Sequence, residues 1–476
     1  MQPLLRATVL WATLLLSGSA ALAFDPAYPF TDPLLTSPDV LTTGATLPGD
    51  QAPVSCPVDK DFSQPLTLAE AVDLALCNNP QARASWATIK IQAGLVGETR
   101  AAYLPVVSGN VSHTYDQIDY SDSRYPSSNV DRNTAQATMS LRLLDFGGRS
   151  ANHQAAEAML TAALAGHNAT LQRVLAEVVQ SYCDALATRA GVSAKQKGVE
   201  IAAQTLRSAQ ARETKGAGAQ TDTLQATTAL AKATLESNRA QGEYAKALAL
   251  LQFIAGIPGT VSLSLPEDGR EQVSEDQGKL LQAWLEEAQR QHPALVSARS
   301  QLAAAQHKVE AVRSAGLPYL GLTTSYYRNT RPGDAVTATE AQETTIGLTV
   351  SVPLFDGFSS TYKLQGARAQ VEQKEAQLAE TEHQIAMDVI KAHADATSTL
   401  NNLQASMRLL DTALQALTVT SRKYDKGAAD IVEMLTTQAA LAEARQERIR
   451  CLAEWRSARL RLFASAGKLG RAVVGE

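Results

Sequence analysis

The sequence predicts a mainly α-helical fold that carries membrane-type β-strands and is built from two copies of one unit. Three observations lead there. KGAGAQTDTL at Lys215–Leu224 and KGAADIVEML at Lys426–Leu435 stand at an offset of 211, each with Lys-Gly, an acid six residues after the Gly and a Leu two further on. Each lies between long Ala-rich runs, and a pair of alternating stretches interrupts the helical pattern at matching places in both halves. Aromatic residues make up only 5% of the chain against 45% apolar, so the apolar content is chiefly Ala, Leu and Val. That balance suits long close-packed helices better than one thick globular core.

Taken in order, Arg6, the apolar run Ala7 to Leu16 and Ala21-Leu22-Ala23 predict a signal peptide over 1–23. The run is short of the ~20 residues that a membrane-spanning helix needs. No Cys follows the cleavage point, so no lipid anchor is expected at the mature N-terminus. Export places the four Cys in an oxidising compartment. Cys56 and Cys77 are the candidate disulfide pair, closing a loop of about 20 residues that would contribute roughly 3 kcal/mol. Cys183 and Cys451 lie in helical runs and read as buried thiols.

Residues 24–65 are rich in Pro, Thr, Asp and Gly and read as an extended periplasmic arm. The first repeat spans 66–257. Thr67 with Glu70 forms a capping box, Asn79-Pro80 interrupts the helix, and the pattern resumes to about Ala102. A β-hairpin follows within 104–146: Val107, Val111 and Tyr115, then Ala137, Met139 and Leu141, alternate with Ser, Thr, Asn and Gln. After Asp145-Phe146-Gly147-Gly148 a helix of about 60 residues, on the order of 90 Å, reaches a turn at 213–222 and returns to Ala255. A linker at 258–280 leads to the second repeat at 281–468. There His292-Pro293 and Leu317-Pro318 match Asn79-Pro80 and Leu104-Pro105 at an offset of 213. The second hairpin lies within 317–356, the second tip turn at 424–433, and 469–476 form a tail.

Strands of about 10 residues with one apolar face have the pattern of outer-membrane strands. A sheet in lipid must close, and four strands are too few for the smallest barrels, so the chain is expected to oligomerise. Three copies would supply about 12 strands and twelve long helices. Small-residue helix faces, such as Ala155, Ala156, Ala158, Ala162 and Ala163 and again Ala367, Ala369, Ala376 and Ala379, call for close helical neighbours.

LTLAEAVDLALCNNP at Leu66–Pro80, YLP at Tyr103–Pro105, LFDGF at Leu354–Phe358 and YDKGAADIVEML at Tyr424–Leu435, in this order, resemble the TolC family of outer-membrane efflux and secretion ducts over nearly all of the mature chain. The resemblance implies a homotrimer with a 12-stranded β-barrel in the outer membrane. It also implies an α-helical periplasmic tunnel whose tips meet an adaptor protein and an inner-membrane ABC or proton-driven transporter. Tyr424 and Glu433 match the family's second tip, with Gly216 and Gly427 at the tip turns, while Ala429 replaces an Arg and Thr436 a second acid. Asp222, preceded by Thr221, matches the acid of the first tip. By this resemblance Tyr424, Asp222 and Thr221 would form a polar latch, and Glu433 with Thr436 would line the pore constriction. Three carboxylates around such a mouth would favour cations.

A net charge of -5 without a basic, aromatic-rich patch argues against nucleic acid. The seven His have no metal spacing, and neither a nucleophile elbow nor a phosphate loop is present, so no enzyme, cofactor or metal site is expected. A structural or adhesive coiled-coil surface protein is the reading from another class, and it predicts sustained heptads and a single terminal barrel segment. Within the duct reading, the Cys56 and Cys77 pair and the missing anchor Cys resemble the type I protein secretion branch. Small-molecule efflux is the alternative.

Overall fold

The computed structural model describes residues 32–44, 47, 62, 64–119, 121, 124, 128–259, 263–265, 280–330 and 340–470. The expected signal peptide, Cys56 and most of the inter-repeat linker lie outside them. In the first repeat, helices α1 (Leu68–Asn78) and α2 (Pro80–Ala101) lead to strands β1 (Val106–Ile118) and β2 (Ser128–Leu144), then to α3 (Gly148–Thr214) and α4 (Gln220–Ala255). The second repeat has the same order: α5 (Leu281–Gln291), α6 (Pro293–Ser314), β3 (Tyr319–Asn329), β4 (Ala341–Ser351), α7 (Ser359–Asp425) and α8 (Ile431–Ser465).

Local chemistry sets these boundaries. Thr67 and Glu70 exchange both hydrogen bonds of a capping box at the start of α1. Asn79 ends α1 and caps α2, its Oδ1 accepting from Gln81 N at 2.8 Å, and Pro80 takes the first helical position, where no N–H is needed. His292 repeats the device at the break between α5 and α6, with Nδ1 accepting from Ala294 N at 3.2 Å ahead of Pro293. The two long helices, α3 and α7, have 67 residues each, or about 100 Å. In each repeat the long helix packs along its own return helix on one side, and α3 also packs against α2 and α6.

The return helices end against the helix breaks. Gly256, at φ 67°, lies so close to Asn78 that a Cβ would come within 2.5 Å of Asn78 Cβ. Gly467 does the same to Pro293, at 2.9 Å from Cδ. Between these contacts sits the largest core, where Leu66, Val72, Leu175, Val178, Leu251 and Leu469 are buried. Trp284, Leu295, Val389 and Leu462 form the matching cluster of the second repeat. Tyr182 Oη donates to Leu66 O at 2.9 Å, and the buried Gln172 amide both donates to Leu469 O and accepts from Leu469 N. Cys183 and Cys451 are buried thiols outside any disulfide, and Cys77 takes part in a disulfide.

The strands form one antiparallel sheet in the order β1-β2-β3-β4. Two hairpins were legible locally; the pairing of β2 with β3 joins them, with a bulge at Leu143 between Arg142 and Leu144. With 13 and 17 residues, β1 and β2 are longer than the expected 10. Directly opposed residues share a face, so Val107, Met139, Thr324 and Ile346 form one row and Leu141, Leu322 and Leu348 the next. The other face carries Ser108, Thr138, Ser325 and Thr345. None of the helices packs across the sheet, and Val111, Ile346 and Leu348 are 83%, 70% and 67% exposed. No helix among the described residues is long and apolar enough to cross a membrane. The exposed apolar face of the sheet has the alternation of a lipid-facing strand surface.

Where strands pass into long helices, Phe146 and Phe358 adopt the left-handed conformation at φ 51° and 66°. Asp145 Oδ2 accepts from Arg149 N at 3.0 Å and Asp356 Oδ2 from Ser360 N at 2.8 Å, so each Asp caps the helix it precedes. Arg149 also donates to Ala102 O and Leu143 O and lies over the Tyr103 ring, tying α2, β2 and α3 together.

Gly256→Ala should cost about 2 kcal/mol or more through strain and overlap with Asn78. Gly259→Ala, where a Cβ would meet nothing within 4 Å, should be nearly neutral. Thermal midpoints of the two variants, followed by circular dichroism, make the comparison. His167 is buried between the Trp86 ring and Ser85 Oγ, and loss of hydration lowers its pKa from 6.5 to about 4. The unfolded chain therefore binds a proton that the folded chain refuses. Stability is full above pH 6.5 and falls as pH drops from 6.5 toward 4, by up to about 3 kcal/mol. His167→Gln should flatten that part of the pH dependence relative to the parent protein.

Candidate functional site at the helical tips

Both long helices end in the same backbone motif. Ala217 N donates to Arg212 O and Gly216 N to Glu213 O, and in the second repeat Ala428 N donates to Lys423 O and Gly427 N to Tyr424 O. This pattern satisfies the last helical carbonyls and requires the left-handed glycine that follows, at φ 70° for Gly216 and 78° for Gly427. Asp430 then caps α8, its Oδ1 accepting from Glu433 N at 2.7 Å.

The two turns lie side by side. Tyr424, only 3% exposed, packs with Ala209, Ala226, Ala429, Ile431 and Met434. Arg212 reaches across from the end of α3, placing its guanidinium 4.7 Å from the Tyr424 ring centroid and donating from Nη1 to Tyr424 O at 2.7 Å. Burial pushes the Tyr424 phenol above its ordinary pKa, Arg212 opposes this, and the nearby Asp222 and Asp425 add to it. The phenol is thus a neutral hydrogen-bond donor at physiological pH.

The structure brings Tyr424 into the field of Asp222, yet among the described residues no hydrogen bond joins Tyr424 to Asp222 or Thr221. Thr221 is exposed and Asp222 partly exposed in the first turn of α4. Glu433 and Thr436, three residues apart on α8, share its exposed face, with Lys423 Nζ 3.9 Å from the Glu433 carboxylate. Ala429 is buried beneath Tyr424, which makes it a packing residue. The cation that stacks on Tyr424 comes from Arg212, which sequence reading missed. A lone Arg in the last turn of a helix looks like any cation placed against the helix dipole.

A sheet with an apolar outer face and a polar inner face, continued by helices of about 100 Å that end in acid-bearing tips, defines a protomer of an outer-membrane channel. Residues 71–257 and 284–468 match the family model described as outer membrane efflux protein. The chain is 34% identical over 440 residues to protein CyaE of Bordetella pertussis, covering 92% of each. It is 25% identical over 414 residues to the alkaline protease secretion protein AprF of Pseudomonas aeruginosa, covering 86% of this chain and 85% of that one. The CmeC outer membrane channel of Campylobacter jejuni shares the fold, with a TM-score of 0.75 at 16% identity over 88% of this chain and 92% of CmeC. The chain belongs to the outer membrane efflux protein family.

Arg212→Ala should remove the stacked cation and the donor to Tyr424 O, loosening the tip by about 1–2 kcal/mol. Hydrogen exchange in a peptide spanning the 424–431 turn should quicken about tenfold, while the exposed Arg207→Ala leaves it unchanged.

Proposed function

We propose that the protein is one third of a trimeric exit duct. It carries a protein cargo from an inner-membrane transporter and its periplasmic adaptor to the outside. The observation that carries this reading is the sheet: four strands with open edges at β1 and β4, apolar on one face and polar on the other. In lipid those edges find partners only on further copies of the same chain, and three copies make a 12-stranded barrel. The long helices then extend into the periplasm and end at the tips.

Protein cargo is favoured by the relative named for alkaline protease secretion and by the disulfide at Cys77. Small-molecule efflux is the second reading, supported by the family's description. At the mouth, Tyr424 and Asp222 from three protomers serve as a latch, with Thr221 beside them, and Glu433 and Thr436 face the opening. The duct is passive, and energy comes from the transporter bound at its base.

The purified protein should migrate as a heat-modifiable trimer and give discrete cation-preferring steps in planar bilayers. A folded trimer that never conducts would sink the duct. Tyr424→Phe combined with Asp222→Ala should raise resting conductance severalfold by loosening the latch. Glu433→Gln should shift the reversal potential in a salt gradient toward zero, and an unaltered value would remove Glu433 from the constriction.

A further inference from the structure

The polar face of the sheet carries a cation, Arg142, that neither the tips nor the packing of the fold employs. We infer that Arg142, present three times around the barrel, forms a cationic collar at the junction of barrel and tunnel. It binds carboxylate groups of acidic polypeptide cargo as the chain passes. This rests on the trimeric duct proposed above.

Strand register sets the position. Arg142 lies opposite Gly321, which in turn lies opposite Thr349, on the face that carries Ser140, Thr138 and Gln136. Leu141 and its row occupy the lipid side, so Arg142 projects into the lumen, at the end of β2 nearest α3. Gly321 leaves clear ground beside it: a Cβ there would meet nothing nearer than backbone oxygens at 4.0 Å. Across that clearing the Arg142 guanidinium lies 4.7 Å from the centroid of the Tyr319 ring. Stacking on an aromatic face orders a guanidinium without neutralising it.

Among the described residues no ion pair engages Arg142, and Asp356, the acid of the matching joint in the second repeat, accepts from Ser360 N at 2.8 Å. Asp145, the acid next along the chain, is engaged by Arg149 at 3.1 Å, and Asp116, toward the opposite end of the sheet, lies 3.9 Å from Arg132. The acid on the lumen face of β4 is Glu343, opposite Tyr327. Tyr327 stands six residues from Gly321, or about 20 Å along the strand. That is more than twice the Debye length of roughly 8 Å at physiological salt. The two rows between, Ser140-Thr323-Gly347 and Ser108-Thr138-Ser325-Thr345, are uncharged.

Three ordered guanidiniums facing water are matched to carboxylates, which they take bidentately. The hydroxyl wall above them offers no rival charge. Because the collar is hydrated and screened, binding is weak and reversible, as passage demands. A chain with acidic residues would be drawn from the tunnel into the barrel and released by the next fluctuation.

The test is block of single-channel current by heptaglutamate, added to either chamber in about 0.1 M KCl, where screening is modest. The parent trimer should show brief interruptions that fade as salt rises. Arg142→Gln should raise the half-blocking concentration about tenfold, Arg142→Lys should stay within about threefold of the parent, and heptalysine should not block. Equal block of the parent and Arg142→Gln channels, or no block of a conducting parent trimer by millimolar peptide, would overturn the collar and leave the duct standing. A parent trimer that never conducts would instead overturn the duct, and the collar with it.

Discussion

Every backbone N–H and C=O placed in hydrocarbon must find a partner, and this chain brings only four strands to that problem. β2 and β3 satisfy each other along ten residue pairs, from Thr134 with Asn329 to Leu144 with Leu320. Among the described residues the outer edges of β1 and β4 have no such partner. Assembly is therefore a condition for membrane insertion. A long helix alone could lie anywhere; fastened to a closed barrel, it becomes a stave.

The fastening is made of few residues. Asp145 and Asp356 stand at equivalent places and cap α3 and α7 in the same way, and Phe146 and Phe358 turn the chain through a conformation that non-glycine residues avoid. The repeats then diverge. Arg149 reaches Asp145, Ala102 and Leu143 in the first repeat, whereas Ser360, at the matching site in the second, is too short to reach beyond Asp356, to which its backbone N–H donates. Phe355 and Phe358 instead pack edge to face and remain exposed, as aromatics at a membrane boundary do. Duplication kept the joint and varied its reinforcement.

Most of the fold was legible because its signals are local and repeated. Thr67 with Glu70, Asn79 before Pro80 and the alternation from Val107 to Tyr115 each depend on neighbours within a few residues, and an offset of 211 to 213 repeated the helix break, the strands and the tip turn. The β2–β3 pairing was not legible, since partners such as Leu141 and Leu322 are 181 residues apart and nothing near either encodes the other. At the tips the same limit applied. The Gly turns and the two acids could be placed, but the burial of Tyr424 and Ala429 and the reach of Arg212 depend on two turns meeting in space. Ala429 looked like a missing charge and is a floor for the ring above it.

Gln172, in the middle of α3, holds both backbone groups of Leu469 with its side-chain amide, and Leu469 is wholly buried beside Leu66 near the start of the first repeat. The last turns of the chain thus complete a core begun by some of its first helical residues. During export through the inner membrane the N-terminal half emerges first and cannot close this core by itself. Until Leu469 arrives, the amide of Gln172 has lost its partners and the apolar groups around it stay wet.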